Sequence, residues 1–516
     1  MSEEEKKTLP AEEDDLIRIP VMRHYSVPAE DYEKLKKKHG HLKIIMACLA
    51  VLCLLLGWLA GSVLPFAYSH SLQNSINSVA GMDSSDKFSS ILRVMSEDWF
   101  FAPDIEDVGT RLTDQALYGM TTNEEDPHTS YMSSEEIESF TQSINRRFVG
   151  IGIQYIDAGD GMFLVERVFR SSPAEAAGVQ AGDFIRFVNG ESTEDMTSED
   201  ISDRVRGEEG TAVSVGFERD GEIITLDITR APINNTVFGE IMPGGIGYLE
   251  IMQFGDSTAQ EARGYLEDFQ DGNVQKLIID LRGDGGGYLD SLRAVASLFI
   301  SGSLVIMKQV YSDGKVEELR SVDGLAFDFS PVVLLVDRNT ASAAEVFTLA
   351  MTENRDDVTT IGETTYGKGT VQITRYFNDG SALKYTTSKW ISSQGVWVNG
   401  TGIEPDPAVP EHEVISTVYA EMPDDGSFDY DSVSEYVRFA QLCLDYLGYG
   451  PDRTDGYMSR GTQDVLRQFQ QDTGLEVTGI LDQTTYNTLI SRLILDWNTN
   501  QAHDPQLQKA LEVLHG

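Results

Sequence analysis

Residues 44–82 contain no Asp, Glu, Lys or Arg, and an apolar stretch runs from Ile44 to Tyr68, IIMACLAVLCLLLGWLAGSVLPFAY. At about 1.5 Å of rise per residue, a helix over 44–68 is long enough to cross the hydrocarbon core of a bilayer. Lys34, Lys36, Lys37, Lys38 and Lys43 stand just before it, and the next basic residue is Lys87. The positive-inside rule then puts residues 1–43 in the cytoplasm as a tail. Everything after about residue 70 is expected outside the cell, so the chain is expected to be a single-pass protein of the cell membrane. A cleaved signal peptide fits poorly: its n-region would be some 43 residues long, and no good A-x-A site follows.

Composition narrows the rest. A chain of 516 residues suggests about three domains. A hydrophobic fraction of 41%, with 22 Phe, 20 Tyr and 5 Trp, is enough to build cores. The 83 acidic residues outnumber the 40 basic ones, and a net charge of −43 repels phosphate backbones. A nucleic-acid partner is excluded on that ground. Cys48 and Cys53 lie in the apolar run and Cys443 stands apart, so no disulfide framework forms. Without a CxxC or a Cys/His cluster, neither a zinc site nor any other metal is expected.

Beyond the anchor the pattern changes several times. Residues 83–140 carry apolar residues at helical spacing, and Ser133-Ser134-Glu135-Glu136 reads as a helix N-terminus. Residues 141–231 hold short strand-like runs between Gly and Asp turns, and Asp220-Gly221 between two of them predicts a hairpin. Residues 232–410 alternate strand and helix patterns, including a helix from about Leu289, as in an α/β domain. Residues 411–431 read as an acidic linker, 432–493 as a small helical unit and 494–516 as a C-terminal tail.

The familiar hydrolase and nucleotide signatures are missing. There is no HExxH, no GxSxG and no GxxxxGK[ST], and no His lies between His128 and His412. A hydrolase in the α/β domain must therefore draw its base from Lys, Asp or Glu. Three segments could carry chemistry. In Thr340-Ala341-Ser342-Ala343-Ala344-Glu345, a serine among small residues follows the apolar run VVLLV and opens a helix pattern. That turn presents a hydroxyl beside helix N–H groups, although Thr340 or Ser342 as a plain N-cap is the commoner use. In Tyr366-Gly367-Lys368-Gly369-Thr370-Val371-Gln372, a lysine sits between two glycines. It becomes a base only if burial or nearby charge lowers its pKa; a GKG turn is more often a surface loop. Asp280-Leu281-Arg282-Gly283-Asp284-Gly285-Gly286-Gly287 follows the strand KLIID. Its glycines free N–H groups for an oxyanion at the usual crevice of an α/β sheet, or simply turn the chain.

In this order DLRGDGGG, TASAAEVF and GETTYGKGTVQ resemble the motifs of the C-terminal processing peptidases, the tail-specific proteases of serine peptidase family S41. Asp126-Pro127-His128-Thr129-Ser130-Tyr131 is similar to the segment that precedes their PDZ domain. The resemblance covers about residues 85–410. It implies Ser342 as nucleophile, Lys368 as general base and Gln372 as the residue that positions the lysine. It implies an oxyanion hole from the N–H of Ala343 and a glycine N–H near Gly286, with no cofactor. Two positions depart from the family: Ala344 stands where many members carry Ser, and Asp284-Gly285 where Asn-Pro is common. Residues 141–231 resemble a PDZ domain, with Gly150, Ile151, Gly152 and Ile153 in the loop that captures a peptide C-terminus. Arg206 is then a candidate relay between PDZ and catalytic domains. Residues 432–493 resemble the peptidoglycan-binding domain of wall enzymes.

The fold class expected is a multidomain α+β chain. It comprises a transmembrane helix, a helical segment, a β-rich PDZ domain, an α/β catalytic core of tail-specific protease type and a small three-helix C-terminal domain. The helices of 83–140 are expected to pack with the core, and the family resemblance allows a homodimer through them. The function expected is a membrane-anchored serine endopeptidase acting on extracytoplasmic proteins with free C-termini. Its further partners are peptidoglycan, through 432–493, and the membrane, through 44–68. One alternative is a non-catalytic PDZ and wall-binding scaffold or regulator of wall hydrolases; Ser342, Lys368 and Gln372 together argue against it. A second, a wall amidase or lytic enzyme, lacks its metal ligands.

Overall fold

The computed structural model describes residues 84–515 apart from 159, 160, 325 and 424, so the tail 1–43 and the expected anchor 44–68 lie outside the described residues. Among the described residues no helix is long and apolar enough to cross a membrane. The chain divides into two units at Pro127. The first contains α1 (Ser84–Glu97) and α2 (Val108–Thr121), which pack on each other. Phe88, Ile91 and Val94 form an exposed apolar stripe on α1.

The second unit opens with β1 (Ser130–Met132) and α3 (Ser134–Asn145). The α3 start is the one legible in the sequence: Ser133 Oγ accepts the Glu136 N–H, and the Glu136 carboxylate accepts the Ser133 N–H. An antiparallel ribbon, β2 (Arg147–Gly150) with β9 (Ala231–Asn234), then leads into and out of an inserted β-rich body. That body runs through β3 (Ile153–Asp157), β4 (Phe163–Val168), α4 (Pro173–Ala177), β5 (Phe184–Val188) and β6 (Glu191–Ser192). It continues through α5 (Ser198–Val205), β7 (Ala212–Arg219) and β8 (Glu222–Thr229). The sheet order is β3-β4-β5-β7-β8, with β6 on β5, so β3 is an edge strand. Phe163, Val165, Ile185, Val215 and Phe217 fill the interior at alternate positions. Asp220 and Gly221 turn the β7–β8 hairpin with φ of 52° and 82°, the left-handed pair that this turn requires.

The α/β body follows. β10 (Val237–Met242), β11 (Ile246–Ile251), α6 (Thr258–Asp271), β12 (Lys276–Asp280) and α7 (Leu289–Ala296) come first. The pair β13 (Val305–Tyr311) and β14 (Val316–Arg320) precedes β15 (Val332–Val336), α8 (Ala343–Asn354) and β16 (Val358–Gly362), and β17 (Thr370–Tyr376) and β18 (Ala382–Ile391) close it. The central sheet is β10-β11-β12-β15-β16, parallel except for β10. Its all-apolar strands, such as VVLLV of β15, are those of a sheet buried on both faces. A second, antiparallel sheet orders β1-β18-β13-β14 with β17 on β18, so β1 belongs with this body although it precedes the insert.

The C-terminal unit contains α9 (Glu413–Ser416), β19 (Ser427–Phe428), α10 (Glu435–Tyr446), α11 (Arg460–Asp472), β20 (Leu481–Asp482) and α12 (Gln483–Thr499). α10, α11 and α12 are the three helices expected. Residues 411–431 are not a free linker: Val414 and Met422 are buried in the same core as Phe439, Leu466 and Tyr486. Nor is 494–516 a free tail. α12 runs on to Thr499 and lies alongside β3, and α13 (Pro505–His515) follows. Leu507, Ala510 and Leu514 of α13 pack on Ile278, Val333, Leu335 and Ile361 of the central sheet. The sheet thus has α6, α7 and α8 on one face and the last helix of the chain on the other.

Candidate active site

The three sequence segments meet at the C-terminal ends of β12 and β15. Ser342 is the N-cap of α8 and is held at φ 55°, ψ −116°, a conformation costly for any residue with a Cβ. Such a bend between a strand and a helix presents the side chain outward. The N–H of Ala343, in the first turn of α8, donates to no acceptor among the described residues. Gly286 lies directly against the serine: a Cβ there would stand 2.8 Å from Ala341 O, from Ala343 N and from Ser342 Cβ. Only glycine lets the two loops approach so closely.

Lys368 is not on a surface turn. Its carbonyl accepts Trp390 Nε1–H at 2.8 Å, and the Gly369 carbonyl accepts Trp397 Nε1–H at 3.0 Å. Gly367, at φ 85°, packs against Gly402 N and Val398 O. Burial, helped by the nearby Lys384 ammonium and opposed by Glu345, holds the Lys368 amine down at about 8. The amine makes no hydrogen bond among the described residues. Gln372 is fixed by its own amide, which donates to the hydroxyls of Thr370 (2.9 Å) and Thr386 (3.0 Å), and is not bonded to Lys368.

Glu345 is what ties these loops together. Its buried carboxylate accepts the N–H of Ser342 (2.8 Å), the hydroxyl of Thr365 (2.6 Å) and the N–H of Gly367 (2.7 Å) and Lys368 (2.9 Å). The signal for it was present in the sequence: Ser342-x-x-Glu345 is the spacing of a capping box. Lys384, whose charge acts on Lys368 from β18, carried no such signal.

One expectation needs correction. The Gly286 N–H donates to Asp284 Oδ1 at 2.7 Å, so it is not a free oxyanion donor in this arrangement. The turn is made by the carboxylate two residues earlier, which the glycine run alone does not reveal. The Gly287 N–H donates to no acceptor among the described residues. The Asp284 carbonyl accepts the Ala341 N–H at 2.9 Å, and its carboxyl is fully buried, with burial pushing it well above the usual carboxylate range.

In the inserted body, Ile151 is buried in the core, and Gly152 (φ 85°) packs so close to Ser172 that no side chain fits. Gly150 is paired in the β2–β9 ribbon, and Ile153 begins β3. Arg206 caps α5 and lays its guanidinium over the Phe148 ring at 4.9 Å, beside Gly150; among the described residues it makes no ion pair with the α/β body. That joint is made instead by Arg167 to Glu250 and by Arg170 to Asp268 (2.8 and 3.2 Å). A groove of about 770 Å³ runs between α3, Phe148 and Val149 of β2, and Tyr376 at the end of β17.

Residues 245–409 match the family model described as peptidase family S41, residues 164–219 that of a PDZ domain, and residues 433–489 that of a putative peptidoglycan binding domain. The chain is 33% identical over 440 residues to the carboxy-terminal processing protease CtpA of Bacillus subtilis, covering 83% of this chain and 90% of that one. The chain belongs to the carboxy-terminal processing proteases of family S41. The CtpB protease of the same organism is 31% identical over 440 residues, covering 83% of this chain and 88% of its own. A probable CtpA-like serine protease of Staphylococcus haemolyticus is 31% identical over 390 residues, covering 75% and 77%. This S41 chain is therefore a serine-type peptidase with a PDZ domain and a C-terminal helical domain.

Proposed function

We propose that the protein is a membrane-anchored endopeptidase that cleaves extracytoplasmic proteins with a Ser342–Lys368 centre. One observation carries the reading: Glu345 joins the serine turn to the lysine loop, and the lysine amine is buried enough to be held near 8. A neutral Lys368 Nζ takes the proton of Ser342 Oγ as the oxygen attacks the scissile carbonyl carbon. The resulting oxyanion is met by the Ala343 N–H and a glycine N–H of the 285–287 run. Gly286 serves there only when it releases Asp284. The lysine ammonium returns the proton to the leaving amine, and water then hydrolyses the acyl-enzyme. Gln372, held by Thr370 and Thr386 in this arrangement, orients the lysine only when its amide oxygen turns to the amine.

The PDZ domain takes the substrate's C-terminus, with the peptide carboxylate at the Gly150–Ile153 loop and Arg206 beside it. The groove between Phe148 and Tyr376 supports a path from that loop toward the catalytic body. Residues 44–68 anchor the chain with its N-terminus in the cytoplasm, and residues 432–493 bind peptidoglycan. The exposed stripe of Phe88, Ile91 and Val94 supports a homodimer through the first two described helices.

The full-length protein in detergent micelles is tested on an unfolded protein with an apolar C-terminus. Ser342→Ala and Lys368→Ala are each expected to lose at least about 10³-fold in kcat, and the double variant no more than either. An amidated substrate C-terminus should raise KM. Wild-type turnover by either single variant refutes the Ser–Lys centre.

A further inference from the structure

The chain leaves the catalytic domain at Glu411 and returns to it at Asp504, and both carboxylates close on one guanidinium. Arg282 Nη1 donates to Glu411 Oε1 at 3.2 Å and to Gln506 Oε1 at 3.3 Å, and pairs with Asp504 Oδ2 at 2.8 Å. Its Nε and Nη2 bond Asp280 at 3.0 and 2.6 Å. Asp280 in turn accepts the Tyr248 hydroxyl at 2.8 Å. Just outside, the Tyr446 ring packs edge-on with both His412 and His503, with centroids 5.3 and 5.8 Å away. The whole C-terminal unit is therefore slung between two residues that share one arginine.

Asp504 does more than pair. Its Oδ1 accepts the N–H of Gln506 (3.0 Å) and Leu507 (2.8 Å), capping α13. Gln506 Nε2 donates to Val409 O at 2.9 Å, and Lys276 Nζ donates to Leu514 O at 2.6 Å. α13 is thus tied at its start to Arg282 and at its end to the first residue of β12.

Arg282 is also where the glycine loop begins. Gly283 N–H donates to Asp337 Oδ1 at 2.9 Å, and the Asp284 carbonyl accepts from Ala341, the residue before Ser342. Gly286, four residues after Arg282, touches Ser342 itself. A buried arginine holds its place only while its partners hold it. Of the three carboxylates on Arg282, only Asp280 is local; the other two come from the boundaries of the C-terminal unit.

We propose that Arg282 is a positioning residue for catalysis, and that the segment returning from the C-terminal unit, through Asp504 and Gln506, holds the glycine loop in register with Ser342. The last helix of the chain is then a working part of the peptidase, and the seating of the C-terminal unit bears on turnover. This rests on the Ser342 peptidase reading.

The test uses the full-length protein. Asp504→Asn retains an N-cap but removes the charge on Arg282. It is expected to lower kcat by about tenfold or more with KM within about twofold, because the loop meets the reacting carbonyl in the transition state. Asp504→Glu should recover a good part of that loss. Gln506→Leu, which leaves the cap intact, should lower kcat by a few fold. A purely structural contact would instead lower the melting temperature with no change in kcat well below it. Wild-type kcat in folded Asp504→Asn, or a loss that Asp504→Glu does not relieve, overturns the proposal. If Asp504→Asn does not fold, wild-type kcat in Gln506→Leu overturns it. Ser342→Ala is run in parallel: activity there defeats the peptidase centre, whereas an inactive Ser342→Ala with an unaffected Asp504→Asn defeats the positioning proposal alone.

Discussion

The backbone N–H groups of Ser342 and Lys368 converge on a single oxygen, Oε2 of Glu345, at 2.8 and 2.9 Å. The helix that begins with the serine thus carries, one turn later, the carboxylate that sets the lysine loop against it. The other carboxylate oxygen takes Thr365 and Gly367.

Glu345→Gln keeps the shape but offers one acceptor oxygen to four donors. Buried donors left unpaired cost about 1–3 kcal/mol each, and a displaced lysine loop costs on the order of 10² in rate. A kcat loss of that size is expected, with a lower melting temperature. The Glu345 charge raises the Lys368 pKa, so its removal should also move the acid limb of the pH–rate profile to lower pH. A limb that stays in place or moves up would show that the charge does not act on the lysine.

For the wild type the rate should rise with pH through about 8, because Lys368 acts as a base only when neutral. Lys384 contributes to that lowered value. Lys384→Met removes the repulsion, so the limb should shift upward and the rate at pH 7 should fall several-fold, with the alkaline plateau kept. The check is kcat/KM between pH 6 and 10; superimposable profiles refute the coupling.

Gly286→Ala places a methyl 2.8 Å from Ser342 Cβ and from Ala343 N at a φ of 98°. Both the clash and the left-handed backbone oppose it, at a cost of about 1–3 kcal/mol. Turnover should be lost by more than about 10²-fold while the rest of the domain still folds. Near-normal turnover with normal melting would mean that the two loops do not meet during catalysis.

Burial raises Glu411 to about 7, with Asp504 and Asp280 adding to the rise and Arg282 opposing it. The folded state then binds a proton that the unfolded chain, near 4.5, has released. Stability from this group is complete below about 4.5 and lost as pH rises through about 7, at most about 3 kcal/mol. Glu411→Gln should flatten the fall in melting temperature between pH 5 and 8 and raise it at pH 8. Parallel curves for the two proteins would sink this assignment.

Much of this protein was legible in order along the chain. Local rules settled the Asp220-Gly221 hairpin, the capped start at Ser133, the helix from Leu289 and the apolar strands before each loop, because turns, caps and periodicity depend on near neighbours. The segments around Ser342 and Lys368 stood out in the sequence, and the fold brings them onto one carboxylate; the roles of Ser342, Lys368 and Gln372 belong to the proposal. Sequence could not show that Gly286 spends its N–H on Asp284, since a glycine run leaves that direction open. It gave no sign that Lys384 acts on Lys368, or that Arg282 gathers Asp280, Glu411 and Asp504. The residues after 493 do repeat apolar side chains at Leu507, Ala510, Leu511 and Leu514, the spacing of a helix with one buried face. What that face covers is a tertiary fact. Sequence determined the turns, caps and buried strands that rest on near neighbours; only the packed chain decided that 411–431 and 505–515 join cores and which distant carboxylates meet which cations. Such pairings are fixed by burial, where a charge without a partner is too costly to keep, and not by position along the chain.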